Sequence, residues 1–246
     1  MRALVTGAAS GIGRATAILL AERGAAVAGL DVDSDGLAET AAAIGAGAVT
    51  LVCDVTDLAA VETAVTRAAA ELGGLDAVAN VAGVGDFTGD VTEISPEEWA
   101  RVLAINLTGA FHISRSAIPH LRAAGGGAIA NVSSQFGMVG CLASPAYCAS
   151  KAGLIGLTRA MAVDHTEEGI RVNCVCPGPV DTPMLAWTDA TPGLTARERA
   201  RTQGRNLTGR SGRPEEIAAT IAFLVSDEVG FMSGSIVAVD GAWTAG

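Results

Sequence analysis

The chain has 246 residues, with 26 acidic against 16 basic side chains and a formal net charge of −10. That length suits one large α/β core and is short for two domains, and the acidic balance argues against nucleic-acid binding. Half of the residues are hydrophobic. Gly, Ser, Asn and Pro nevertheless interrupt every apolar run, including the charge-free stretch between Arg122 and Lys151, so no segment suits a bilayer.

From the N-terminus onward, short apolar runs alternate with helical patterns. Strands are predicted at Ala3–Thr6, Ala26–Leu30, Val49–Cys53, Ala77–Ala79, Ala128–Val132, Arg171–Val175 and Ile236–Val239. They are continuously apolar and rich in Val and Ala, as in parallel strands buried on both faces. Helices are predicted at Gly13–Glu22, Ser34–Ile44, Leu58–Leu72, Pro96–Leu121, Pro145–Glu168 and Pro214–Ser226. Asp57 caps the third, while Pro96 and Pro214 each precede two glutamates in a first turn. Strict alternation implies a Rossmann-type, doubly wound parallel sheet of about seven strands flanked by helices, a single domain over 1–246. The irregular stretch Asp181–Arg213 is too long for an ordinary loop and is expected to be a substrate lid.

The opening residues read as a strand, not as the apolar core of a signal peptide. The five cysteines, Cys53, Cys141, Cys148, Cys174 and Cys176, form no CxxC pair, which suits a reduced, cytoplasmic setting. His112, His120 and His165 are scattered, so no metal site is expected.

Thr6-Gly7-Ala8-Ala9-Ser10-Gly11-Ile12-Gly13 links the first strand to the first helix. Missing Cβ atoms permit a tight turn, and the helix N-terminus offers free N–H groups to a pyrophosphate. Asp31 ends the second strand, where a carboxylate can accept the ribose hydroxyls of an adenosine. A 2′-phosphate would sit against that carboxylate, so NAD is favoured over NADP, with Arg14 as the opposing charge. Asp54 and Val55 can face the adenine. Asn80, Val81, Ala82 and Gly83 can pass behind the cofactor.

The only tyrosine, Tyr147, and the only lysine, Lys151, lie four residues apart on one helical face. Random placement gives that order and spacing about once in 250 tries. A phenol near pKa ~10 is a poor base at neutrality, and an ammonium held beside it stabilises phenolate. Ser134 stands at the carboxyl end of a predicted strand, where a hydroxyl can hold a carbonyl oxygen.

Together these residues resemble a short-chain dehydrogenase/reductase of the compact, single-domain kind. The likeness runs through Thr6–Gly13, Asn80–Gly83, Asn106, Ser134, Tyr147-x-x-x-Lys151, Pro177-Gly178-Pro179-Val180-Asp181-Thr182 and Val239-Asp240-Gly241. Val81 departs from the family's usual second Asn. The resemblance implies that Tyr147 is the general acid/base, that Ser134 orients the substrate oxygen, and that Lys151 lowers the phenol pKa and bonds the nicotinamide ribose. It implies that Asn106 holds a relay water, and that Pro177, Gly178, Val180 and Thr182 follow the cofactor to its carboxamide. Gln135, Val139, Cys141, Met184 and Trp187 would line the substrate pocket. Cys141 and Cys148 would flank it, so that a bulky thiol reagent would inhibit. A homotetramer built on the two long helices is also implied.

The expected function is NAD-dependent interconversion of a small secondary alcohol and a ketone. A 3-oxoacyl thioester reductase (or 3-hydroxyacyl dehydrogenase) on the same scaffold competes with it, but the carrier-protein type normally uses NADPH. A non-catalytic dinucleotide sensor would not need the set Asn106, Ser134, Tyr147 and Lys151. Six arginines, Arg197, Arg199, Arg201, Arg205, Arg210 and Arg213, crowd the expected lid. Arg210 and Arg213, just before the Pro214 helix, count little. The other four, with Arg197, Arg201 and Arg205 aligned on one helical face, suit either a solvated helix face or an anionic substrate group.

Overall fold

The computed structural model describes residues 1–86, 89–185 and 206–245. Seven strands form one parallel sheet: β1 (Arg2–Thr6), β2 (Ala26–Asp31), β3 (Val49–Val52), β4 (Ala77–Asn80), β5 (Gly127–Val132), β6 (Ile170–Pro177) and β7 (Ile236–Val239). Their order is β3-β2-β1-β4-β5-β6-β7. The crossovers are α1 (Gly11–Glu22), α2 (Ser34–Ile44), α3 (Leu58–Leu72), α4 (Pro96–Leu103), α5 (Gly109–Ala123), α6 (Pro145–His165) and α7 (Pro214–Val225).

Side-chain alternation gives the sheet two unlike faces. Leu4, Leu30, Val78, Ile129 and Val172 pack towards α3 and α5. The opposite face is built from Ala3, Ala77, Ala79, Ala128 and Ala130 against α1 and α7. Such small residues let those helices sit close to the strands, which is where the alanine-rich composition is spent.

The long helix expected over Pro96–Leu121 is interrupted. A π-helical turn at Ala104–Thr108 separates α4 from α5, and α6 likewise ends in a 3-10 turn at Thr166–Glu168. Asp57 caps α3 as expected, accepting the N–H groups of Ala59 (2.9 Å) and Ala60 (3.1 Å). The two ends of the expected lid are pinned together by a parallel bridge between Val180 and Gly212. Trp187 and the arginines at 197, 199, 201 and 205 lie outside the described residues. Arg210 is paired with Glu216 at 2.7 Å. Among the described residues no helix is long and apolar enough to cross a membrane, and no cluster of His, Cys, Asp or Glu could hold a metal ion.

Candidate active site

A cleft of about 490 Å³ opens at the carboxyl ends of the strands, where the strand order reverses between β1 and β4. Thr6 joins those two strand ends, its hydroxyl accepting the N–H groups of Val81 (3.0 Å) and Ala82 (3.1 Å). Beyond β1 the chain must turn back in little space. Gly7 and Gly11 take φ angles of +67° and +50°, and a Cβ on Gly7 would stand 3.0 Å from the Ala82 backbone. A Cβ on Gly13 would strike the Gly7 carbonyl oxygen. Ser10 at the N-cap of α1 makes no side-chain cap bond, which leaves the first-turn N–H groups to a ligand. Ser10, Gly11, Ile12 and Gly13 all line the cleft. A bare glycine turn opening on unused helical donors fits a dinucleotide pyrophosphate.

Asp31 also lines the cleft. Its Oδ2 accepts the Ala9 N–H at 3.0 Å, while Oδ1 takes those of Val32 (2.7 Å) and Asp33 (3.1 Å). Arg14 is engaged elsewhere, paired with Glu39 at 2.8 Å and donating to the carbonyls of Ala9 and Gly36. Asp54, tied to Thr56, and Val55 form the wall beside Asp31.

Asn80, expected at the cofactor, is enclosed in the core. Its Nδ2 donates to Ser114 Oγ (3.0 Å) and to Asn131 Oδ1 (2.8 Å), tying β4 to α5 and β5. It does not line the cleft, whereas Val81, Ala82 and Gly83 do. Strand alternation turns residue 80 inward at the point where the chain leaves the sheet.

At the other end of the cleft, α6 places Tyr147 and Lys151 on one face. Lys151 Nζ donates to the Val132 carbonyl (2.9 Å) and lies 5.7 Å from the centre of the Tyr147 ring. Ser134 and Tyr147 line the same part of the cleft, and Ser134 Oγ accepts the Phe136 N–H at 3.1 Å. All three residues are buried at the cleft wall. Burial pushes the phenol up to about 12, an effect the Ser134 hydroxyl opposes. Burial also pulls the Lys151 ammonium down to about 8. The expected depression of the phenol by lysine is therefore outweighed in the chain alone: desolvation disfavours both charged forms.

Asn106 sits in the π-helical turn, a local widening often found at functional sites. Its amide grips the Val84 backbone from both sides, donating to the carbonyl (2.9 Å) and accepting the N–H (2.8 Å). It also donates to Ser150 Oγ at 3.1 Å. Gly83 fills the gap between Asn106 and Lys151. A Cβ there would come 3.2 Å from Asn106 Oδ1 and 3.1 Å from Lys151 Nζ.

Pro177, Gly178, Val180 and Thr182 line the cleft, as do Gln135 and Met184. Val139 and Cys141 are not among its lining residues, and Val139 is exposed. The Cys141 thiol is pushed up to about 12 by burial. Sequence reasoning missed Phe136, which lines the cleft and packs edge-on against Trp243 at 5.5 Å. It also missed Ser133, whose hydroxyl donates to the Lys151 carbonyl at 2.8 Å. Asp86 was missed too, a fully buried carboxylate that meets α6 from a distant loop. No local pattern marks it, because its partners lie some sixty residues on.

A parallel sheet with a dinucleotide cradle at one end of its cleft and a Ser–Tyr–Lys cluster at the other defines a nicotinamide-dependent oxidoreductase. A family model described as enoyl-(acyl carrier protein) reductase matches residues 7–244. The cis-4-hydroxycyclohexanecarboxylate dehydrogenase of Sinomonas cyclohexanicum is 48% identical over 245 residues, covering 99% of this chain and 96% of that protein. The cyclohexanol dehydrogenase of Acinetobacter sp. (strain SE19) is 37% identical over 246 residues, covering 99% and 94%. The crystal structure of levodione reductase superposes with a TM-score of 0.93 at 35% identity, covering 99% and 97%. The chain belongs to the short-chain dehydrogenase/reductase family and is an oxidoreductase acting on CH–OH groups.

Proposed function

We infer that the protein is an NAD-dependent dehydrogenase of a compact, cyclic secondary alcohol. The observation that carries this is the convergence of Ser134, Tyr147 and Lys151 on one wall of the cleft, with Lys151 Nζ 5.7 Å from the centre of the Tyr147 ring. Ser134 holds the substrate oxygen, and Tyr147 removes its proton as the carbonyl forms. Lys151 supplies positive charge beside the developing phenolate, and Asn106 fixes the Val84 loop and α6 about it. When bound, the nicotinamide supplies the acceptor for the hydride that leaves the carbinol carbon. Gly7, Ser10, Gly11, Ile12 and Gly13 would hold its pyrophosphate, and Asp31 its adenosine ribose.

Two features favour NAD. Asp31 lines the cleft beside the glycine turn, where its carboxylate would oppose a 2′-phosphate, and Arg14 is paired with Glu39. Among the described residues, Val84, Phe136, Met184 and Leu185 give the cleft apolar lining, with the Gln135 amide among its polar groups. Such walls suit a ring or short aliphatic body, in line with the relatives named for cyclohexane alcohols. Association as a homotetramer is supported by Trp99 on α4, Phe111 on α5 and Val163 on α6, all exposed apolar side chains. The reduced thiols suit the cytoplasm.

The test is NADH formation with cyclohexanol, cis-4-hydroxycyclohexanecarboxylate, acyclic secondary alcohols and 3-hydroxyacyl thioesters. Cyclic alcohols should lead in kcat/KM, with NAD preferred over NADP by at least about tenfold. Asp31→Ala should narrow that gap. Turnover of the thioesters alone, or of no alcohol, would overturn the assignment.

A further inference from the structure

The helix that carries the chemistry is capped by a residue from elsewhere in the chain. Ser144 stands at the N-cap of α6 but makes no cap bond with its side chain. The carboxylate of Asp86, from the loop after β4, takes its place. Its Oδ2 accepts the N–H of Ala146 at 2.7 Å and that of Tyr147 itself at 3.1 Å. Asp86 is wholly buried, and its Oδ1 has no hydrogen-bond partner among the described residues. A helix start needs an acceptor there, and a serine is already in place to act as one. A buried carboxylate costs far more to enclose than a hydroxyl and brings a charge that a cap does not require.

We propose that Asp86 is a positioning residue for the reaction: it anchors the first turn of α6 through the backbone of Tyr147, and its negative charge adds to the field against which the phenol must ionise. This rests on Tyr147 being the acid/base, and it adds a second determinant of when that group can act. A cationic nicotinamide ring entering the cleft opposes the carboxylate's field, so proton removal is favoured once the oxidised cofactor is in place. The charge of Asp86 already acts upward on the phenol of the chain alone, alongside burial. Among the described residues, other groups that act on Tyr147 are the Ser134 hydroxyl, Lys151 and Cys148 on its own helix, and Cys141 from the loop before it. Across the loop, Asp86 faces Glu98 and Arg101 of α4, which are paired with each other at 2.7 Å.

Because Tyr147 is the only tyrosine, its ionisation can be read directly from near-ultraviolet phenolate absorbance, without any turnover. Asp86→Asn keeps an oxygen for both N–H groups and removes the charge. At a fixed alkaline pH below the midpoint, this variant should show about twofold more phenolate than the parent, with the midpoint lowered by the corresponding amount. The acid limb of kcat/KM for alcohol oxidation should move to lower pH by the same amount, with the KM for NAD unchanged. Asp86→Ala should show the same titration and also lose amide-exchange protection at Ala146 and Tyr147. Should the Asn variant not fold, Asp86→Ser carries the same titration. An unchanged phenolate fraction in the charge-removing variant would make Asp86 a cap only and overturn the proposal. Loss of activity in Tyr147→Phe tests the acid/base assignment separately, since the absorbance reading does not depend on it.

Discussion

Lys151 reaches under the sheet edge to the carbonyl of Val132, 2.9 Å from its Nζ, and is almost wholly enclosed there. That contact gives the ammonium one fixed partner and removes it from water. The ionised form is disfavoured, and the lysine releases its proton near 8 instead of 10.5. Between those two values the unfolded chain binds a proton that the folded chain lacks, so this residue makes stability rise with pH across that window. Lys151→Met should abolish turnover and remove that slope. The melting temperature of the parent should therefore gain on that of the variant between about pH 8 and about pH 10. Parallel melting curves across that window, measured by calorimetry, would show that the lysine is not buried as a strained cation.

Tyr147→Phe removes the phenol oxygen and little else. Turnover should fall by about 10²–10⁴-fold, the range for loss of a general acid/base, while NADH affinity stays near that of the parent. Ser134→Ala should lower kcat and also raise KM if, as proposed, its hydroxyl orients the substrate oxygen at the cleft wall beside Tyr147. Stopped-flow turnover with fluorescence titration of NADH separates the two cases. Residual activity above a few per cent in Tyr147→Phe would displace it from its role.

Asn80 should behave as a structural residue despite its place in the cofactor-side motif. Asn80→Ala strands the Asn131 Oδ1 and Ser114 acceptors in the core, at a cost of about 1–3 kcal/mol. For a chain of this size that lowers the melting temperature by about 2–4 °C per kcal/mol. The Kd for NADH should not change. A weakened Kd with an unchanged melting temperature would return Asn80 to the cofactor site.

The cysteines near the site should prove inert. Reaction needs thiolate, and burial holds the Cys141 thiol up at about 12 and raises that of Cys148. Iodoacetamide at neutral pH should leave activity intact over times that modify a free thiol, with slow alkylation seen by mass spectrometry. Rapid inactivation that NAD prevents would place one of them in the pocket after all.

The sequence by itself determined the layers, the seven strands and both ends of the cleft. Continuous Val and Ala runs read as doubly buried parallel strands, and the glycine turn, Asp31, Ser134 and the Tyr147–Lys151 spacing are all contained in short windows. Local spacing suffices where the chemistry lies on one turn, one strand end or one helix face. Tertiary structure decided what depends on residues far apart in the chain. It drew Asn80 into the core against Asn131, committed Arg14 to Glu39, opened the π-helical turn around Asn106 and set Asp86 on the N-terminus of α6. It also decided the proton affinities of Tyr147 and Lys151. Charge spacing alone suggested that lysine would lower the phenol, but desolvation depends on how many neighbours close over a side chain, and only the folded chain brings those neighbours together.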